Sequence, residues 1–122
     1  MKNILIIGCG LLGSSLLRKI SKNKIAEKIF IYEKSRLYIS QIKKLKLKGT
    51  IVNKLEDGVK QSDLIILCTP MSSYKKIILK MNNSLKPNHI ITDVGSAKKE
   101  SFKIIKSFNA PAGHNVIIQI LS

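Results

Sequence analysis

At 122 residues with 44% hydrophobic content, the chain has the size of one domain with a real core. A formal charge of +15 invites a nucleic-acid or anionic-membrane surface. That reading is set aside because the lysines spread over nearly every segment, the arginines number two, and no patch interleaves basic with base-stacking aromatic residues. The charge reads as solvated surface with no specific nucleic-acid partner, leaving only nonspecific polyanion binding at low salt.

Ile4-Leu5-Ile6-Ile7 reads as a short strand buried on both faces. Gly8-Cys9-Gly10-Leu11-Leu12-Gly13 follows as a Gly-x-Gly-x-x-Gly turn, and a helical pattern runs from about Leu11 to Lys22. A dinucleotide pyrophosphate needs that order. Gly8 permits the tight turn, Gly10 lets phosphates approach the backbone, and Gly13 lets the helix pack close to the sheet. Leu11 and Leu12 complete the turn, and the helix start holds the anion with its N–H groups and dipole. The alternative is a glycine-rich turn in some other α/β protein. Ile6-Ile7-Gly8-Cys9 also resembles a bacterial lipoprotein cleavage site, but the apolar run before it is too short for a signal segment and only Lys2 precedes it. With no run long enough to cross a membrane, no membrane partner and a cytoplasmic location are expected. Cys9 and Cys68 lack metal-ligand spacing and read as small buried thiols, so neither a metal nor a disulfide is expected.

A second strand covers about Lys28 to Tyr32. Glu33 follows it, 20 residues beyond Gly13, where an acid can accept hydrogen bonds from an adenosine ribose. Lys34-Ser35-Arg36 would suit a 2′-phosphate, but Glu33 would repel it, which favours NAD over NADP. Tyr38, Ile42 and Leu45 mark the apolar face of the next helix, Lys43, Lys44, Lys46 and Lys48 its wet face, and Gly49 its end. Thr50 to Val52 is a third strand and Leu55 to Ser62 a short helical connection. Asp63 to Pro70 is a fourth strand, again apolar enough for burial on both faces, ending in Thr69 and Pro70 at the ligand-binding edge. Tyr74, Ile77, Ile78, Met81 and Leu85 repeat at helical spacing and read as core. His89 to Val94 is a fifth strand, with His89 structural or exposed, and Ser101, Ile104 and Phe108 mark a further helix.

Strand–helix alternation throughout predicts an α/β fold, a doubly wound parallel sheet of the Rossmann dinucleotide-binding type. Ser96, directly after the fifth strand, and His114, after a small-residue segment, should return to the ligand-binding edge. A hydroxyl and an imidazole beside a nicotinamide suit alcohol oxidation. The other readings are an N-cap serine and a loop histidine.

Gly8 to Leu16, Asp63 to Pro70, Thr92-Asp93-Val94-Gly95-Ser96-Ala97-Lys98 and Gly113-His114 resemble the successive motifs of prephenate/arogenate dehydrogenases. The similarity covers about residues 1–114. It implies NAD-dependent oxidative decarboxylation of prephenate or arogenate in tyrosine biosynthesis. His114 then matches the histidine that hydrogen-bonds the ring hydroxyl being oxidised, and Ser96 the serine that orients hydroxyl, histidine and nicotinamide. Glu33 matches the ribose reader, with Lys34 beside it, and Thr69-Pro70 the turn along the cofactor. The family continues with Gly-His-Pro-x-x-Gly and a helical domain that dimerises and reads the substrate carboxylates. Here Asn115 follows His114, and residues 115–122 lack the pattern. The expectation is a dinucleotide-binding domain over 1–114 with an atypical tail over 115–122, the helical domain missing through a frameshift or truncation near codon 115, and little activity by the chain alone. The alternatives are a non-catalytic NAD-binding remnant or another small Rossmann reductase.

Overall fold

In the computed structural model, residues 3–93 are described, apart from 9, 25, 47, 87 and 88. The elements are β1 (Asn3–Ile7), α1 (Leu11–Asn23), β2 (Lys28–Tyr32), α2 (Arg36–Leu45), β3 (Thr50–Ile51), α3 (Leu55–Gln61), β4 (Leu64–Leu67), α4 (Tyr74–Met81) and β5 (Ile90–Asp93). All five strands are parallel, in the order β3-β2-β1-β4-β5. The chain builds outward from β1 to β3, then crosses back to place β4 on the other side of β1. The strand order thus reverses between β1 and β4, and in open α/β sheets the crevice beyond the carboxyl ends at that point is where ligands bind.

The sheet is central because β1 alternates apolar side chains to both faces. Leu5 and Ile7 join Leu55, Val59, Tyr74, Ile78 and Met81 on the side covered by α3 and α4. Ile4 and Ile6 join Leu17, Ile20 and Ile42 on the side covered by α1 and α2. Burial on both faces explains why β1 and β4 read as unbroken apolar runs rather than alternating ones.

Several boundaries differ from those the spacing predicts. The second helix ends at Lys46, which adopts the left-handed conformation with φ of 51°, so Gly49 is not its terminator. Gly49 instead lets the chain pass the sheet: a Cβ there would sit 3.0 Å from Ile31 Cδ1. The third strand is two residues long, although the Val52 N–H still donates to the Ile31 carbonyl at 2.8 Å. The helical run after β4 divides into a 3-10 turn (Met71–Ser73), α4, and a second 3-10 turn (Asn82–Ser84). Cys68 is half-buried rather than buried. Lys43, Lys44, Lys46 and Lys48 are all exposed, the solvated face the pattern predicts.

His89 is structural. It is 3% exposed, and its Nδ1 accepts the Lys86 N–H at 2.7 Å. Its Nε2 must then be the donor to the Val59 carbonyl at 2.9 Å. The imidazole so ties the turn before β5 to α3. No helix among the described residues is long and apolar enough to cross a membrane.

Candidate functional site

The carboxyl ends of β1, β2 and β4 open onto a cleft of about 280 Å³ lined by Ile7, Gly8, Tyr32, Glu33, Lys34, Leu55, Thr69, Ser73, Lys76, Ile77 and Lys80. Four residues singled out in the sequence, Gly8, Glu33, Lys34 and Thr69, therefore share one cavity although they come from three segments.

Gly8 leaves β1 in a conformation that L side chains rarely adopt, with φ of +83°. Its N–H donates to the Tyr32 carbonyl and the Cys68 N–H donates to the Ile7 carbonyl, both at 2.8 Å, so the turn is pinned to both neighbouring strands. A Cβ at Gly8 would lie 2.5 Å from Thr69 Cγ2 and 3.2 Å from the Thr69 backbone nitrogen. The β1 and β4 exits thus meet in contact, with no room for a side chain between them.

Gly10 is the N-cap of α1, and the first helical bond runs from the Ser14 N–H to its carbonyl at 2.9 Å. Gly10 supplies no side-chain cap, and no acidic residue lies in the first turn. A helix start leaves backbone N–H groups without intrahelical acceptors, and an anion can take that place. Leu11 and Leu12 supply the first two helical residues. Among the described residues, the atoms nearest to where a Gly10 Cβ would stand belong to Tyr38, whose ring and hydroxyl lie at 3.7 to 3.9 Å. The spacing places Tyr38 on the apolar stripe of the second helix, yet in the structure it is 39% exposed and stands beside this turn. Gly13 lies one helical turn further on, where a Cβ would collide with the Gly8 carbonyl oxygen and stand 3.4 Å from Cys68 Cβ. The three glycines thus meet three different constraints: a backbone angle, an open approach and a helix–turn contact.

Glu33 stands directly after β2, half-buried, and its Oε2 accepts the Ser35 N–H at 3.0 Å. The Ser35 hydroxyl in turn accepts the Tyr38 N–H at 3.4 Å and caps α2. Arg36 is exposed, begins that helix and does not line the cleft. On the opposite wall, Thr69 Oγ1 is buried with no hydrogen-bond partner among the described residues. An orphaned hydroxyl costs stability unless something satisfies it. Pro70 is exposed, and its carbonyl accepts the Ser73 N–H at 2.9 Å, closing the turn into the helical segment.

Ser96 and His114 lie outside the described residues. The residues that sequence reasoning missed are Ser73, Lys76 and Lys80. Lys76 and Lys80 are one helical turn apart beside the buried stripe of α4, so their common face was readable. Their position opposite Lys34 was not, because it depends on the sheet order. No group of residues suited to hold a metal ion occurs among the described residues. The arrangement suits an elongated ligand with an anionic middle and a hydroxylated end. The uncapped helix start, the unpartnered Thr69 hydroxyl and the Glu33 carboxylate all fit a dinucleotide.

Residues 16–118 match the family described as the prephenate dehydrogenase nucleotide-binding domain. The chain is 31% identical over 105 residues to the cyclohexadienyl dehydrogenase of Zymomonas mobilis, covering 86% of this chain and 36% of that protein. It is 36% identical over 103 residues to the prephenate dehydrogenase of Lactococcus lactis, covering 82% and 28%. The chain thus spans about a third of the length of the curated relatives it matches. Among solved structures, the prephenate dehydrogenase of A. aeolicus, in complex with hydroxyphenyl propionate and NAD+, superposes with a TM-score of 0.72 at 24% identity. That superposition covers 86% of this chain and 38% of the other.

Proposed function

The chain belongs to the prephenate dehydrogenase family through its nucleotide-binding domain, and on that premise we propose that it binds NAD and forms the cofactor-binding part of an enzyme that oxidatively decarboxylates prephenate or arogenate in tyrosine biosynthesis. The observation that carries the reading is the cleft itself. A glycine turn leads into an uncapped helix at the point where strand order reverses, and a carboxylate stands at the end of the adjacent strand.

In this reading Gly8, Gly10, Leu11, Leu12 and Gly13 present the turn and helix start to the pyrophosphate. Glu33 accepts hydrogen bonds from the adenosine ribose, with Lys34 beside it, and Thr69 and Pro70 border the nicotinamide half. NAD when bound supplies the hydride acceptor. Ser96 and His114 are assigned by their motifs to the substrate hydroxyl: His114 takes its proton and Ser96 orients it. Loss of CO2 restores aromaticity to the ring, so the protein chiefly has to align donor and acceptor. The cofactor domain is assigned to residues 1–114, and residues 115–122 to a segment outside it.

Calorimetric titration of the 122-residue chain with NAD tests the binding half. Saturable binding is expected, weakened about tenfold or more by Glu33→Ala, since a hydrogen bond to a charged group contributes about 1.5–3 kcal/mol. Absence of heat on verified folded protein would overturn it. The same chain incubated with NAD and prephenate is expected to yield no NADH, because substrate carboxylates are assigned to a region beyond the third of its relatives that it spans. NADH formation would show that this stretch reads the substrate unaided.

A further inference from the structure

The cleft wall beyond Glu33 carries more positive charge than the sequence order suggests. Three lysines, Lys34, Lys76 and Lys80, line it, against Glu33 as the one acidic residue among the described lining residues. Lys34 arrives from the end of β2. Lys76 and Lys80 arrive from α4, whose Tyr74, Ile77, Ile78 and Met81 are buried against the sheet. That packing holds the two lysines on one face at the rim, with both side chains exposed. Glu33 is drawn toward its own backbone, its Oε2 engaged by the Ser35 N–H at 3.0 Å. Of the neighbouring residues, Ser35 caps α2 and Arg36 begins it, and neither lines the cleft, which leaves Lys34 as the cation from this segment.

Resting on the dinucleotide reading above, we propose that Lys34, Lys76 and Lys80 form a cationic subsite for a phosphate on the adenosine ribose, so that the cleft takes a 2′-phosphorylated dinucleotide as well as NAD. A carboxylate after β2 opposes such a phosphate, but here three lysines line the same cleft. Because all three are exposed, their attraction is screened by salt over about 8–10 Å at physiological ionic strength. The subsite therefore acts most strongly at low salt.

The test uses the full chain and two fragments of the adenosine end, 5′-AMP and 2′,5′-ADP, titrated at low and at physiological salt. Binding of 2′,5′-ADP is expected to match or exceed that of 5′-AMP at low salt, with the advantage shrinking as salt rises. The double variant Lys76→Gln/Lys80→Gln is expected to lower 2′,5′-ADP affinity about tenfold relative to 5′-AMP, as charge-assisted contacts to phosphate are lost. Its circular dichroism serves as the check on folding. If 5′-AMP binds while 2′,5′-ADP binds tenfold more weakly, or if the double variant weakens both fragments alike, the subsite is overturned while the dinucleotide reading stands. If neither fragment binds folded protein, the dinucleotide reading fails and takes the subsite with it.

Discussion

Gly13→Ala is expected to destabilise the fold and to remove NAD binding together, whereas Gly10→Ala should remove NAD binding alone. At Gly13 the added Cβ would collide with the Gly8 carbonyl oxygen and lie 3.2 Å from the Gly8 carbonyl carbon. Both are backbone atoms in a turn pinned to β2 and β4, so the helix has to retreat. Overpacking of this kind costs about 1–3 kcal/mol. Alanine offsets up to about 1 kcal/mol of that through its better helix propensity, so a clash against backbone, at the upper end of the overpacking range, leaves a net loss of about 2 kcal/mol. The retreat also withdraws the N–H groups of the helix start from the anion position. At Gly10 the nearest described atoms to the same methyl group are those of Tyr38 at 3.7 Å or more, an ordinary contact that the fold absorbs. It would, however, stand where the phosphates must approach. Urea unfolding and NAD titration of both variants separate the two roles. A Gly13→Ala chain as stable as the parent, or a Gly10→Ala chain with undiminished affinity, would show that the glycines are not divided in this way.

The division between these glycines was legible in the sequence because the motif carries its own context: a doubly buried strand before it, a helix after it and an acid 20 residues on. β2 spans the limits that its apolar run predicts and β1 starts one residue before its own, since short apolar runs leave little choice of register. Helix ends were less legible. Lys46 terminates α2 in a left-handed conformation that glycine ordinarily supplies, and the first glycine beyond the helical pattern is Gly49, three residues too late. The run from Tyr74 to Leu85 keeps helical spacing from α4 through the 3-10 turn at Asn82–Ser84, and spacing of three or four residues does not distinguish the two kinds of turn. Tyr38 shares a helical stripe with Ile42, but Gly10 opens a space beside it and the ring stands there instead. The rim lysines illustrate the general limit. Lys34 and Lys76 face one cleft only because β4 lies on the far side of β1 from β3. No local pattern encodes that placement.

His89→Phe is expected to lower stability by about 1–3 kcal/mol, the range for leaving a buried polar group unsatisfied, and to leave NAD affinity of the folded chain unchanged. The imidazole closes a reciprocal turn: the Lys86 N–H donates to Nδ1 at 2.7 Å, and the His89 N–H donates to the Lys86 carbonyl at 3.0 Å. From the other ring nitrogen it reaches the Val59 carbonyl of α3. Phenylalanine preserves most of the ring volume, so its cost isolates the polar contacts. The Val59 carbonyl keeps a second donor in the Ser62 N–H at 3.2 Å, which places most of the loss on the Lys86 N–H. His89→Ala adds a cavity and is expected to cost about 1 kcal/mol more, by the cavity contribution that large-to-small core changes carry. Function should be spared because His89 stands at the amino end of β5, and the cleft lies beyond the carboxyl ends of the strands parallel to it. Urea midpoints of the two variants and NAD titrations below the transition provide the measurement. A His89→Phe chain as stable as the parent would mean that burial of the ring, rather than its two hydrogen bonds, holds the turn before β5 to α3.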